Sequence, residues 1–200
     1  MTASLINLPD NPPEQYLQLD GVTWQQYDAL VMLFINQFPA LRMTYLEGVL
    51  ELMTTSPEHE RLKKIIARLL EAFAEERDID LNGYGSATFR QEAVARGLEP
   101  DECYSIGALG AAPDIAIEVV LTSGGIDKLA VYRGLGVQEV WFWENQRFRL
   151  YGLIDPESGY ELLSSSRLLP QLDVSRLAQF IDQPSQTQAV RAYRKFLQGK

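Results

Sequence analysis

Apolar and polar residues repeat with two different periods along the chain, and these periods predict a mixture of helices and strands. The clearest helix begins at Pro57, after Ser56 as N-cap, and its apolar stripe continues to Phe73. Other helices are predicted over about residues 23–38, 126–134, 173–182 and 185–198. Strands are predicted over about residues 42–46, 49–53, 86–91, 101–106, 114–121, 139–143, 146–153 and 160–164. The pattern therefore indicates an α/β fold with a mixed (α+β) sheet.

The order of these elements predicts a single domain over residues 1–200. Glu47-Gly48 joins the first two strands as a two-residue turn, which gives an N-terminal hairpin. Residues 1–20 hold several prolines and little periodicity, and this indicates an N-terminal arm. Two helices over about residues 173–198 close the chain. A chain of 200 residues is long enough to bury a core without covalent cross-links.

The apolar run over residues 113–121 contains one deeply placed carboxylate, Glu118. A strand that is apolar on both faces normally lies inside a sheet covered by helices. A carboxylate at such a place must be paired, protonated or bound to a cation, because burial of an isolated charge is very unfavourable. The run therefore indicates a functional site at Glu118. The alternative is a glutamate that faces solvent at a sheet edge.

Asp101 is the best candidate partner for Glu118. Asp114 points to the same face as Glu118 but is separated from it by roughly 13 Å along the strand, which is too far to share one ion. Asp101 begins the preceding strand, and neighbouring strands lie about 4.8 Å apart, so the two carboxylates could chelate Mg²⁺ or Mn²⁺. The sequence does not fix the register that would bring them level. Neutralising either acid is expected to keep the fold and to relieve repulsion.

Lys128 lies in the first turns of the helix that follows Glu118 and can reach back across the end of the strand. Two acids and a lysine that converge on a phosphate form a chemically sensible hydrolytic site. A metal neutralises charge and lowers the pKa of its water, while the lysine positions that water or stabilises the developing oxyanion. The alternative for Lys128 is an ordinary surface lysine.

His59, Glu60 and Asp114 are auxiliary candidates. His59 is the only histidine, which rules out a histidine-rich metal site, and it lies on a first helical turn, where anions are favoured. Glu60 could supply a more distant carboxylate to the same cleft. The alternative is a capping-region or surface role for His59 and a solvated surface position for Glu60.

Composition narrows the range of partners and compartments. The net charge of −9, from 27 acidic and 18 basic residues, predicts weak binding to DNA or RNA through few phosphate contacts. Cys103 is the only cysteine, which excludes an internal disulfide and a thiolate zinc cage and fits the cytoplasm. No apolar run approaches the roughly 20 residues of a membrane span, so no membrane association is predicted.

An ordered series of motifs runs through the middle of the chain. It consists of Leu46-Glu47-Gly48-Val49-Leu50, Met53-Thr54-Thr55-Ser56-Pro57-Glu58-His59, Ala87-Thr88-Phe89-Arg90, Glu99-Pro100-Asp101-Glu102-Cys103, residues 112–120, Asp127-Lys128, Tyr132 and Gly136-Val137-Gln138-Glu139-Val140-Trp141. Over residues 44–153 this series resembles the Uma-type family of restriction endonucleases, within the PD-(D/E)XK nuclease superfamily. The order of the motifs is specific, although each motif alone is weak.

The resemblance implies a restriction-endonuclease-like α-β-β-β-α-β core and a magnesium-dependent (or manganese-dependent) hydrolysis of phosphodiester bonds. The aspartate of the superfamily falls on Asp101 and its strand acid on Glu118, and both would bind the metal. The lysine of the superfamily would stand two residues after Glu118, where this chain has Val120. In such families the lysine can come from the following helix, which makes Lys128 its substitute.

Two functions of different classes follow from these observations. The leading hypothesis is a metal-dependent endonuclease that acts on DNA. The alternative is a non-catalytic binding or assembly module that keeps the nuclease fold, and a small-molecule hydrolase with the same cleft is a weaker third hypothesis. A homodimer is also expected, because residues 141–143 and the strands over 146–164 offer more apolar surface than one sheet face uses. The C-terminal helices could instead cover that surface.

Overall fold

A computed structural model describes residues 14–34, 37–38, 40–122 and 125–199. The helices are α1 (Trp24–Phe34), α2 (Pro57–Glu76), α3 (Lys128–Leu135), α4 (Val174–Ala178) and α5 (Gln186–Leu197). The strands are β1 (Gln15–Asp20), β2 (Leu41–Leu46), β3 (Val49–Thr54), β4 (Leu81–Gly83), β5 (Phe89–Gln91), β6 (Arg96–Leu98), β7 (Glu102–Ile106), β8 (Ile115–Val120), β9 (Glu139–Glu144), β10 (Arg147–Asp155) and β11 (Gly159–Leu163).

The strands of the described residues form two sheets. One sheet has the order β1-β3-β2-β6-β5 and is antiparallel throughout. The other has the order β11-β10-β9-β8-β7-β4, in which β8 and β9 are parallel and the remaining pairs are antiparallel. Since α3 connects the parallel pair, β8-α3-β9 is a strand–helix–strand unit. The mixed α+β architecture is confirmed.

The order α2, β4, β7, β8, α3, β9 reproduces the expected α-β-β-β-α-β core of a restriction-endonuclease-like fold. The short strands β5 and β6 are inserted between β4 and β7 and join the other sheet. The core continues at one edge into the antiparallel strands β10 and β11. The restriction-endonuclease-like fold is therefore confirmed.

Helices cover both faces of the central strand β8. Ile115, Ile117 and Val119 pack into a core with side chains of α2, α4 and α5. Ala116 faces the opposite side and packs against Val131 of α3, in a smaller core that also includes side chains of the other sheet. Because side chains alternate along a strand, Glu118 shares the α3 face with Ala116. This layering explains why the run over residues 113–121 is apolar on both faces.

Helix α2 begins as the sequence predicts. Ser56 is the N-cap, and its hydroxyl accepts a hydrogen bond from the amide of His59 at 3.1 Å. Pro57 occupies the first helical position, where its missing amide hydrogen has no cost. The cap fixes the first turn of α2, which carries His59 toward the ends of β7 and β8.

Replacement of Ser56 by alanine is expected to lower the free energy of unfolding by about 1 kcal/mol, because the amide of His59 loses its acceptor in a buried place. Urea denaturation of the full chain measures this change. Ser165→Ala is the matched control, since Ser165 is exposed and lies outside every helix and strand. Equal loss in both variants would contradict the capping role.

Several predicted boundaries differ from the observed ones. Residues 15–20 of the predicted arm form β1, which pairs with β3, whereas residues 1–13 lie outside the described part of the chain. Helix α1 ends at Phe34 rather than residue 38, and the strand predicted over residues 86–91 shortens to Phe89–Gln91. Strands β4 and β6 were not predicted, because segments of three residues show no alternation. The sequence Ser123-Gly124-Gly125 also predicts a turn, which lies partly outside the described residues.

The aromatic residues of β9 are mostly covered within the chain. Trp141 and Trp143 are buried and pack into the same core as the C-terminal helices, while Phe142 contacts the ring of Tyr151 edge-on. The aromatic part of the surface on which the homodimer prediction rested is therefore covered within the chain, whereas Ile154 of β10 and Leu162 of β11 are exposed. Among the described helices, none is both long and apolar enough for a bilayer crossing.

Candidate active site

Glu118 lies in β8 between two neighbouring strands and beneath α3. Its side chain is fully buried, which excludes the solvent-facing alternative. Lys128 Nζ donates a hydrogen bond to Oε2 at 2.6 Å, and the hydroxyl of Tyr132 donates to Oε1. Lys128 and Tyr132 are four residues apart on α3 and therefore share one face of the helix. The helix thus holds both oxygens of the buried carboxylate.

Asp101 stands level with Glu118 on the neighbouring strand. Strands β7 and β8 are antiparallel with Glu102 opposite Ile117, so one further step places Asp101 opposite Glu118 on the same face. The buried carboxylate of Asp101 accepts a hydrogen bond from the amide of Val119 at 2.7 Å. The register that the sequence left open therefore brings the two acids together.

Lys128 connects the buried acids with the protein surface. It is the first residue of α3. The Asp127 carboxylate caps this helix by accepting hydrogen bonds from the amides of Leu129 and Ala130. The Lys128 side chain is 21% exposed, whereas the side chains of Glu118 and Asp101 are 0% and 3% exposed. Lys128 also lines a cleft of about 250 Å³. The cluster is therefore reached from solvent through Lys128.

A chain of buried groups continues behind Asp101. His59 Nε2 lies 2.8 Å from Asp101 Oδ1, and His59 Nδ1 lies 2.5 Å from Glu14 Oε1. The side chains of His59 and Glu14 are 0% and 2% exposed. Both ring nitrogens of a histidine can donate only when the ring is protonated, so two carboxylates on opposite sides favour an imidazolium. His59 therefore links two buried acids.

Glu14 ties the N-terminal segment to the cluster. Its other oxygen accepts a hydrogen bond from the hydroxyl of Thr122, and the hydroxyl of Tyr16 donates to the Thr122 carbonyl oxygen at 3.0 Å. Thr122 lies two residues after the end of β8. Glu14, directly before β1, thus contacts the first turn of α2 and the residues that follow β8.

Glu51 in β3 is another buried carboxylate beside the cluster. Its Oε2 accepts hydrogen bonds from the amides of Gly125 at 2.7 Å and Ile126 at 3.3 Å. These two residues lie directly before Asp127 and α3. Glu51, which belongs to the other sheet, therefore holds in place the segment that leads into the helix carrying Lys128.

Sequence reasoning missed Glu14, Glu51 and Tyr132. Signals for two of them were available: Tyr132 is four residues after Lys128, and Glu51 shares the face of its strand with Val49 and Met53, as an acid in an apolar row. Glu14 follows a proline-rich segment without periodicity, and no pattern identifies it.

The pKa values of the two acids move in opposite directions. Burial raises the pKa of Glu118 above its ordinary value, and the charge of Lys128 reverses this only in part. Burial also opposes ionisation of Asp101, but the hydrogen bond and charge of His59 outweigh it, so that the pKa of Asp101 is lowered. Two neighbouring acids whose pKa values are shifted in opposite directions hold a proton with different affinity, as in many catalytic carboxylate pairs.

The cationic groups of the cluster have raised pKa values. Burial disfavours the charge of Lys128, but Glu118 and Asp101 more than compensate, so its pKa lies above the ordinary value. The same balance, with Asp101 and Glu14 as the compensating acids, raises the pKa of His59. Lys128 is therefore an ammonium at neutral pH.

Glu60 and Asp114 lie outside the cluster. Glu60 is half-exposed and forms ion pairs with Lys63 at 3.4 Å and Arg42 at 3.8 Å. Asp114 lies before the start of β8, where it accepts hydrogen bonds from the amide of Ile106 and the side chain of Gln138. The structure brings together Asp101, Glu118, Lys128 and His59, and leaves these two acids elsewhere.

The chain was compared with known proteins. A model of the Uma2 family, described as "Putative restriction endonuclease", matches residues 24–183. The chain belongs to this family. The match includes every residue of the cluster except Glu14 and confirms the resemblance seen in the sequence. A search of curated proteins finds no match to the chain.

The Uma2 family supports a nuclease function for this fold. Within the family match, the lysine of the superfamily's usual motif is replaced by Val120, which lines the cleft two residues after Glu118. Lys128 Nζ nevertheless reaches Glu118 from α3. The ammonium group thus stands beside the strand acid although it comes from a different element.

Proposed function

We propose that this Uma2 protein is a metal-dependent nuclease that hydrolyses phosphodiester bonds of DNA, with Asp101, Glu118 and Lys128 as its catalytic residues. The contact between Lys128 Nζ and Glu118 carries this proposal. An ordinary surface lysine would have no reason to hold a fully buried glutamate, whereas a nuclease needs a cation beside its strand acid.

The donor atoms of the cluster suit a hard divalent cation. Asp101 and Glu118 present carboxylate oxygens from adjacent strands, and Mg²⁺ typically takes one or two carboxylates together with waters and substrate phosphates. Within residues 14–34, 37–38, 40–122 and 125–199, no three histidine, cysteine or acidic side chains are grouped as a complete metal cage. Asp101 and Glu118 would therefore hold Mg²⁺ or Mn²⁺ jointly with substrate. The ion would supply charge neutralisation and a water of lowered pKa.

Lys128, Tyr132 and His59 have separate roles in the proposed reaction. Lys128 is the partly exposed member of the cluster, so its ammonium is placed to contact a phosphate oxygen that enters the cleft. Tyr132 holds one oxygen of Glu118, and His59 holds one oxygen of Asp101, which keeps both acids oriented. These supporting contacts reduce the reorganisation needed during the reaction.

The alternative is a non-catalytic binding module with the same fold, and one observation favours it. Each of the four carboxylate oxygens of Asp101 and Glu118 already has a hydrogen-bond partner within the chain. A cluster that is satisfied in this way is stable without any ligand. The two functions therefore require an experiment on chemistry.

Cleavage of DNA is expected to require Mg²⁺ or Mn²⁺ and to fall by a factor on the order of 10² in Lys128→Ala, because the ammonium no longer assists the phosphate. Binding of Mn²⁺ should be kept in this variant, since lysine is not a ligand. Cleavage assays with each ion and with chelator, together with calorimetric titration of Mn²⁺, measure both properties. Lys63→Ala is the matched control, because Lys63 pairs with Glu60 outside the cluster.

Two outcomes separate the hypotheses. If the protein binds neither ion and cleaves neither DNA nor RNA, the nuclease hypothesis is refuted and the non-catalytic binding module remains. Cleavage that persists unchanged in Lys128→Ala would remove Lys128 from the mechanism. The charge of −9 predicts weak DNA affinity that falls further with added salt. The homodimer and the cytoplasmic location stay predictions, and light scattering tests the first.

A further inference from the structure

The cleft beside Lys128 gives access to the buried acids. Asp101 and Glu118 have almost no exposed surface, and Lys128, which pairs with Glu118, lines the cleft together with Val119, whose amide binds Asp101. The cleft also carries an arginine, Arg149, and the aromatic side chains Phe142 and Tyr151. These are the residue types that bind phosphate groups and nucleobases.

The sheet register places these groups in one row. Glu118 in β8 is the direct partner of Phe142 in β9, and Phe142 is the direct partner of Arg149 in β10. Directly opposed residues share a face of the sheet, and neighbouring strands lie about 4.8 Å apart. The Arg149 backbone is therefore roughly 10 Å from the Glu118 backbone, on the same face. Arg149 stands beside the catalytic cluster and not within it.

The side chains around Arg149 allow its guanidinium to exchange Glu144 for a phosphate. Its guanidinium lies 5.3 Å from the ring centre of Tyr151 and donates to Glu144 at 2.6 Å. The side chain of Arg149 is 44% exposed, so this ion pair is only weakly stabilising and a phosphate can compete for the guanidinium. Of the acids that line the cleft, Asp127 is occupied in capping α3.

The ring pair offers a surface for a base. Phe142 and Tyr151 have centroids 5.7 Å apart in an edge-on arrangement, and both rings line the cleft. Base stacking on aromatic rings is tolerant of sequence, because every base has a flat π-face. The cleft volume of about 250 Å³ limits the occupant to about one nucleotide.

We propose that this cleft is a nucleotide subsite next to the scissile phosphate, in which Arg149 binds the neighbouring phosphate and the rings of Phe142 and Tyr151 contact its base. The subsite rests on the proposed nuclease function and specifies how that site holds its substrate strand. It also explains how a chain of charge −9 holds DNA, through a few local contacts and without a general basic surface.

The test measures binding separately from cleavage. Thymidine 5′-monophosphate, thymidine and inorganic phosphate are titrated into the full chain by calorimetry in chelator, so that no metal and no turnover contribute. The nucleotide is expected to bind saturably and more tightly than either of its parts. Arg149→Gln should weaken nucleotide binding about tenfold. Phe142→Leu, which leaves the contact of Arg149 with the Tyr151 hydroxyl in place, should weaken binding of the nucleotide but not of phosphate.

Arg147→Gln is the matched control, because Arg147 lies on the same strand but lines a separate groove with Trp143 and Val174. Unaltered thermal midpoints would show that the variants are folded. Absence of nucleotide binding in the wild type, or equal binding in Arg149→Gln, would overturn the subsite. Binding of the nucleotide by a protein that never cleaves DNA would support the nucleotide site and refute the nuclease function. Cleavage with an unchanged Michaelis constant in Arg149→Gln would support the nuclease function and refute the subsite.

Discussion

Glu118→Gln is expected to reduce cleavage of DNA by a factor on the order of 10³, a larger effect than that of Lys128→Ala. The amide keeps the shape of the side chain and its contact with Tyr132, but it removes the negative charge on which metal binding and the orientation of Lys128 depend. Affinity for Mn²⁺ should fall together with activity. Single-turnover cleavage and calorimetric titration of Mn²⁺ measure the two losses.

The stability of Glu118→Gln separates a catalytic role from a structural one. Burial raises the pKa of Glu118, so the fold disfavours its charged form, but the same carboxylate offsets the burial of the Lys128 ammonium. Because these two effects oppose each other, the amide should change the urea midpoint by only roughly a few tenths of a molar unit. Glu60→Gln, an exposed acid-to-amide change outside the cluster, should keep full activity. Full activity of Glu118→Gln would refute the proposed site.

For Asp101, the structure reverses an expectation from the sequence. Two close acids suggested that neutralising either one would relieve repulsion. Asp101, however, has its pKa lowered by His59, so its charge is stabilised in the folded protein. The relief applies to Glu118 alone, and the charge of Asp101 contributes to stability. Sequence spacing could not show this, because His59 reaches Asp101 from a helix 42 residues earlier.

The fold was predictable where a pattern is long or a turn has special chemistry. Helix α2 has a cap, a proline at its first position and a long apolar stripe, and all three agree. The hairpin turn at Glu47-Gly48 has positive φ at both residues, which favours the glycine at its second position. The continuous apolar run identified β8 as a central strand. Each signal lies within one element and needs no tertiary information.

The remaining features depend on tertiary contacts. Strand β1 exposes most of its side chains and is held mainly by pairing with β3, so its sequence has no buried face to reveal it. The level positions of Asp101 and Glu118 follow from the register of β7 and β8. The family resemblance supplied the roles of Asp101 and Glu118 as metal ligands, while Lys128 was already a candidate from its position after Glu118. The contact of Glu14 with the cluster could be identified only from the folded structure.

His59→Ala is expected to lower the free energy of unfolding by about 3–5 kcal/mol, the largest effect on stability. The imidazole lies between Asp101 and Glu14 at 2.8 and 2.5 Å, and all three side chains are buried. Its removal leaves these two buried carboxylates without the hydrogen-bond donor and the cation that lie between them. Urea denaturation measures the loss, and Glu60→Ala on the next position of α2 is the matched control because its side chain is half-exposed.

The pH dependence of this loss identifies its electrostatic part. The pKa of His59 is raised above its ordinary 6.5, so its contribution is complete below about pH 6.5 and is lost as the pH rises through the folded value. The pKa of Asp101 is lowered below 3.8, so its contribution is complete above about pH 3.8 and is lost as the pH falls through the folded value. The stability gap between wild type and His59→Ala should therefore be widest between about pH 4 and 6. A gap that stays constant from pH 4 to well above the raised His59 value would indicate lost packing alone, and a gap below about 1 kcal/mol would refute the buried ion pair.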